Sequence, residues 1–125
     1  MNLNHNSSDE LVKVLEDFIS SCKLEGKVKL DHICYKCESS ESYENIKSQL
    51  EISEKFTYTT MISQRRISSI GLRNPVDTKY GIIELLELND QKPDRSQIEG
   101  YDHIEIMPLL PHTCESLSNI AKSKG

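Results

Sequence analysis

His32 and His103 sit in the same tripeptide, Asp31-His32-Ile33 and Asp102-His103-Ile104. Neutral imidazole ligates zinc, nickel, iron and manganese, so a histidine on each of two equivalent strands could aim two rings at one divalent metal on a pseudo-twofold axis. A carboxylate would complete a two-histidine, one-carboxylate set with room for water or substrate oxygens. Glu84 is the candidate, because it interrupts the apolar run Ile82-Ile83-Glu84-Leu85-Leu86. A lone acid buried in such a strand needs a metal, a cation or a hydrogen-bond partner. The expected metal ligands are therefore His32, Glu84 and His103. Glu105 shares the strand face of His103 and is the candidate catalytic base or further ligand. Arg65 suits a substrate carboxylate or phosphate through its planar fork.

Plainer readings stand beside these. His32 can be a satisfied histidine with no metal. Glu84 can pair with Arg65 or Lys36 as a buried ion pair. Arg65-Arg66 can be a solvated loop. His5 and His112 lie in polar contexts with no expected role, and Glu41, Glu44, Glu51 and Glu54 read as solvated surface.

The elements that must position these groups follow from period and punctuation. Ser7 and Glu10 have capping-box spacing. Leu11, Val12, Leu15, Phe18, Ile19 and Cys22 then recur at helical period, and Gly26 is the expected stop. Leu30–Cys37 reads as the first core strand. Ser39 or Ser40 can cap a second helix that runs to about Leu50, with Tyr43, Ile46 and Leu50 on one face. Phe56–Ile62, Arg66–Leu72 and Gly81–Leu88 read as strands, with Asn74-Pro75 as the turn between the last two. Residues Asn89–Gly100 read as a polar linker. A further strand starts at Tyr101 and ends at Pro108 and Pro111, and Thr113 can cap a last helix carrying Leu117, Ile120 and Ala121. Strand parity puts His32 with Leu30, Cys34 and Lys36, Glu84 with Ile82 and Leu86, and His103 with Glu105 and Met107.

The composition of the 125 residues is that of one soluble domain, with hydrophobic residues at 36% and charged residues at 28%. The net charge of −5 and the scattered lysines argue against nucleic acid as a partner. No apolar run reaches membrane-spanning length and the polar start is no signal peptide, so a cytoplasmic protein with no membrane partner is expected. Cys34 and Cys37 have C-x-x-C spacing but face opposite sides of a strand, and no second pair follows. All four cysteines, Cys22, Cys34, Cys37 and Cys114, are expected as reduced, mostly buried thiols.

The residues Leu30-Asp31-His32-Ile33 with Cys37, Met61-Ile62 followed by Arg65 and Ile67, Ile82-Ile83-Glu84-Leu85, and Gly100-Tyr101-Asp102-His103-Ile104-Glu105-Ile106 carry a resemblance. From about Leu11 to Ile120 the chain resembles the YecM-like family of the vicinal oxygen chelate superfamily, which includes glyoxalases, extradiol dioxygenases and antibiotic-resistance proteins. The resemblance implies an α+β fold: an N-terminal helix (8–26), a βαβββ unit (30–88) and the start of a second unit (101–125), in a single domain. It implies a divalent metal and a small oxygenated substrate, as in an isomerase or an oxygenase-like enzyme. It names no reaction. A metal-free binding module or a degenerate dimerising scaffold is the alternative. In the superfamily a fourth ligand comes from the last strand of the second unit, which these residues do not include, so another chain is expected to supply it or the sequence is a truncation or a short relative. The strand from Tyr101 is thus expected to lack partners and to favour a homodimer.

Overall fold

Bulges in one strand pair decide where the histidines point. The computed structural model of the chain describes residues 8–109 together with residues 113, 115, 116 and 119. Two helices, Ser8–Ser21 (α1) and Ser40–Ser53 (α2), accompany five strands: Val28–Lys36 (β1), Phe56–Ile62 (β2), Arg65–Thr78 (β3), Gly81–Asn89 (β4) and Gly100–Pro108 (β5). The sheet order is β2-β3-β4-β1-β5. The β1–β4 pair is parallel and the other three pairs are antiparallel. The fold is α+β, and β1-α2-β2-β3-β4 is a βαβββ unit with β5 added beside β1.

Both helices share one core. Leu15 and Ile19 of α1 and Tyr43 and Leu50 of α2 pack with Ile33, Tyr35, Ile70, Ile83, Leu86 and Leu88 of the sheet. Burying these aliphatic and aromatic groups is the main term holding the layers together, at roughly 25 cal/mol per Å² of apolar area. Ser39 caps α2, its Oγ accepting from the Ser42 N–H at 3.0 Å. Thr113 Oγ1 accepts from the Ser116 N–H at 3.1 Å, which is the cap expected of it. Leu117, Ile120 and Ala121 of the expected last helix, with Ser7, His5, His112 and Cys114, lie outside the described residues.

Several features differ from expectation, three of them with a clear physical cause. The first helix ends at Ser21, not at Gly26, because Lys23 takes the left-handed conformation (φ 54). Leu24 N–H then bonds back to the Ile19 carbonyl at 2.9 Å, the six-to-one bond of a Schellman motif. Gly26 (φ 74) serves the following turn into β1. Asn74-Pro75 does not end its strand, since β3 continues to Thr78. The proline sits where the β3–β4 ladder is interrupted, between Gly71 and Val76, so its missing N–H breaks no ladder bond. The segment from Asp90 to Glu99 is polar but anchored: Gln97 Nε2 donates to the carbonyls of Cys37 (2.7 Å), Asn89 (3.2 Å) and Asp90 (2.9 Å). Glu99 accepts from Tyr35 Oη at 2.6 Å, the Glu38 N–H at 2.8 Å and Ser42 Oγ at 2.9 Å, which compensates its burial.

Candidate metal centre

The β1–β5 ladder pairs Ile33 with Ile104, His32 with Glu105 and Cys34 with His103. Ile33 and Ile104 turn towards the helices. Cross-strand partners share a face, so His32, Cys34, His103 and Glu105 all turn away from them, onto the open face. The parity expectation for both histidines and for Glu105 is met, but Leu30, expected on the His32 face, enters the core instead.

The ladder is bulged twice. Leu30 pairs with Ile106 and His32 with Glu105, which leaves Asp31 as an extra residue on β1. Cys34 pairs with His103 and Tyr35 with Tyr101, which leaves Asp102 as an extra residue on β5. Such a bulge re-aims side chains. In a regular strand an aspartate next to a histidine would face the other side. Here Asp31 Oδ2 lies 2.7 Å from His32 Nδ1, and Asp102 Oδ2 lies 2.7 Å from His103 Nδ1. With the proton on Nδ1, each aspartate accepts it from its own histidine and Nε2 keeps a lone pair for a ligand, although at His32 that nitrogen already lies 3.2 Å from Glu87 Oε2. Lys36 Nζ reaches the same Asp102 oxygen at 3.1 Å. Burial pushes the Asp102 carboxyl up, but the hydrogen bonds from His103 and Lys36 outweigh it and hold the group below its ordinary range.

One ligand atom from each of His32, His103 and Glu105 falls within 4.8 Å of the others, and the two rings meet edge to face with centroids 6.1 Å apart. Ligands about 2 Å from a common ion sit roughly 3–4 Å apart, so modest rotamer contraction would close the set. Two oriented imidazoles and a carboxylate fit a zinc- or iron-type ion by donor chemistry.

Glu84 is not part of this group, which corrects the expectation from parity. Ile83 and Leu86 both enter the core, so alternation breaks at Glu84-Leu85, beside the interruption in the β3–β4 ladder. Parity counted across that break fails. Glu84 is exposed and lines a separate cavity with Lys29, Lys55 and Leu85. The β4 acid that reaches the histidines is Glu87. Its Oε2 lies 3.2 Å from His32 Nε2, and it pairs with Cys34 in the parallel ladder. Counting parity back from the buried end of β4, Leu86 and Leu88, would have found it. Cys34 is fully buried between these groups, accepts from Asn89 Nδ2 at 3.2 Å, and has its thiol pushed up to about 12 by burial and by the Glu87 and Asp102 charges.

Arg65 is likewise not gathered with the histidines. It sits at the start of β3, where it donates to Gln97 Oε1 and to the Asp90 carbonyl, and so fastens the 90–99 segment. The sequence reading missed Glu87 and the two aspartates. The aspartates were visible as part of the repeat, but their role depends on the bulges.

The family model described as YecM protein matches residues 5–124. An uncharacterised protein of Haemophilus influenzae is 31% identical over 84 residues, which cover 66% of this chain and 44% of that protein. A solved structure titled "Structural Genomics, Protein EC4020" is similar with a TM-score of 0.66 and 24% identity, over 92% of this chain and 62% of that one. At that identity the likeness shows the fold. The chain thus spans about half to two thirds of the length of these two relatives. No helix among the described residues is long and apolar enough to cross a membrane. On the extent of the family match, the chain belongs to the YecM protein family.

Proposed function

We propose that the open face is a divalent-metal site of the vicinal oxygen chelate type, which acts on a small oxygenated molecule. The observation that carries this reading is the pair of Asp-His dyads, built twice by matching bulges and converging with Glu105. An isolated surface histidine needs no such orientation, whereas metal-ligating histidines nearly always have it. His32, His103 and Glu105 are the proposed ligands. When bound, the metal would act as a Lewis acid on vicinal substrate oxygens. Glu87, held beside His32, is placed to bind as a further ligand or to hold a substrate proton. Calorimetric titration of the chelator-treated chain with zinc tests the reading. The parent should bind, and His103→Ala should lose binding by roughly a hundredfold or more, since a ligand rather than an orienting partner is removed.

A metal-free reading has one observation in its favour. His32 has a carboxylate at each nitrogen, Asp31 at 2.7 Å and Glu87 at 3.2 Å. A doubly protonated imidazole satisfies both without an ion. On that reading the face is a binding module, and the zinc titration shows no heat. The homodimer stands as a separate proposal on other grounds than expected: the strand from Tyr101 does not lack a partner, since it pairs with β1, and the exposed surface is the opposite sheet edge, β2, with Tyr58 68% and Met61 64% exposed. Light scattering over a concentration series tests it, a monomer at high concentration being the contrary result.

A further inference from the structure

A cavity of about 610 Å³ adjoins the histidine group at Asp31, the residue that orients His32. Its floor is a row across the sheet. Phe56 of β2 pairs with Gly71 of β3, which pairs with Leu85 of β4, and all three line it. Leu85 precedes Leu86, the partner of Ile33, as His32 precedes Ile33 on the parallel strand. The row therefore leads directly to His32. A Cβ at Gly71 would fall on the Phe56 ring and push it aside. Its absence lets the Phe56 ring lie over the strand as an apolar wall.

The charges of this cavity are uncommitted. Among the described residues neither the Lys29 nor the Lys55 ammonium has an ion pair or hydrogen bond, and nor does the Glu84 carboxylate. Asp31 is spent on His32. Two free cations face one free anion in a chain whose net charge is −5. Lys29 pairs with Met107, on the same face as Glu105, so its charge lies on the histidine side of the sheet.

We infer that this cavity binds a small amphipathic anion, with its carboxylate or phosphate head on Lys29 and Lys55 and its apolar body on Phe56 and Leu85. The volume falls in the range of small-molecule sites, which pair apolar walls with a few convergent charges. The role of the anion as a substrate rests on the metal reading above. Its binding does not.

The test uses chelator-treated, metal-free chain, titrated calorimetrically with 3-phenylpropionate, 3-phenylpropanamide and 2-phenylethyl phosphate. The acid or the phosphate should bind at least about tenfold more tightly than the neutral amide, the discrimination expected of one charge-assisted contact, and the better of the two identifies the head group. Lys29→Ala/Lys55→Ala should erase that preference. Glu84→Gln should strengthen anion binding, and Gly71→Ala should weaken it by displacing the Phe56 ring. Zinc affinity should be unchanged in the lysine variant, while His32→Ala/His103→Ala should keep the anion preference and lose zinc. Equal binding of acid, phosphate and amide to the parent, no binding of any of them, or an unchanged preference in the lysine variant would overturn the inference. A parent that prefers the anion but takes up no zinc would sink the metal reading alone.

Discussion

Ile33 pairs with Ile104 across the β1–β5 ladder, and each is the isoleucine of one Asp-His-Ile copy. A residue that pairs with its own counterpart lies on a local twofold axis. The axis relates His32 to His103, Asp31 to Asp102, and the Asp31 bulge to the Asp102 bulge. The two copies therefore lie on one face about a shared axis, and an ion near it would meet both rings, each backed by its own aspartate, with Glu87 beside His32 alone.

This symmetry makes a prediction about the aspartates. Asp31→Asn and Asp102→Asn remove the negative partner of each imidazole but keep the shape. Each change should weaken zinc affinity by about ten- to a hundredfold, the usual cost of losing an orienting carboxylate. Competition against a chelating dye measures it. Unchanged affinity in both variants would mean that the dyads are structural only.

The two β4 acids should behave differently. Glu84→Gln should leave zinc affinity within about twofold of the parent, because Glu84 lines the neighbouring cavity. Glu87→Gln should weaken it by about tenfold or more, through loss of the charge beside His32. The reverse order of effects would restore Glu84 to the site and refute the geometry described here.

Burial holds the thiols of Cys34 and Cys37 up at about 12, against an ordinary 9.0. The folded chain therefore keeps protons that the unfolded chain gives up. That contribution to stability is complete below about pH 9 and is lost as pH rises towards 12. The melting temperature should fall steadily from pH 9 upward, and the fall should be shallower in Cys34→Ala/Cys37→Ala. Identical slopes in the two proteins would show that other groups govern alkaline stability.

The sequence was legible where its periodicity was regular. The Ser39 cap, the helical faces of Leu15 and Tyr43, and the shared face of His32, His103 and Glu105 all followed from spacing. It was illegible where one residue broke the period. A bulge at Asp31 puts both Leu30 and Ile33 into the core, and the break at Glu84-Leu85 does the same for Ile83 and Leu86. No rule of alternation survives such a step, which moves every later side chain to the other face. Glu84 stands out in the sequence as the acid that interrupts an apolar run, and counting through the break hides that Glu87 is the acid beside His32. Lys23 in the left-handed region shows a related failure: the helix stop was read from a glycine, and a lysine supplied it.

The most direct measurement is the metal content of the untagged chain after incubation with excess zinc and removal of unbound ion by gel filtration, read by mass spectrometry. Three protein ligands with an open position hold zinc in many enzymes. The parent should carry about one zinc per chain, and His32→Ala/His103→Ala should carry close to none, with the same helix and strand signal by circular dichroism. A parent that emerges without zinc, or a double variant that retains as much as the parent, would contradict a metal site on this face.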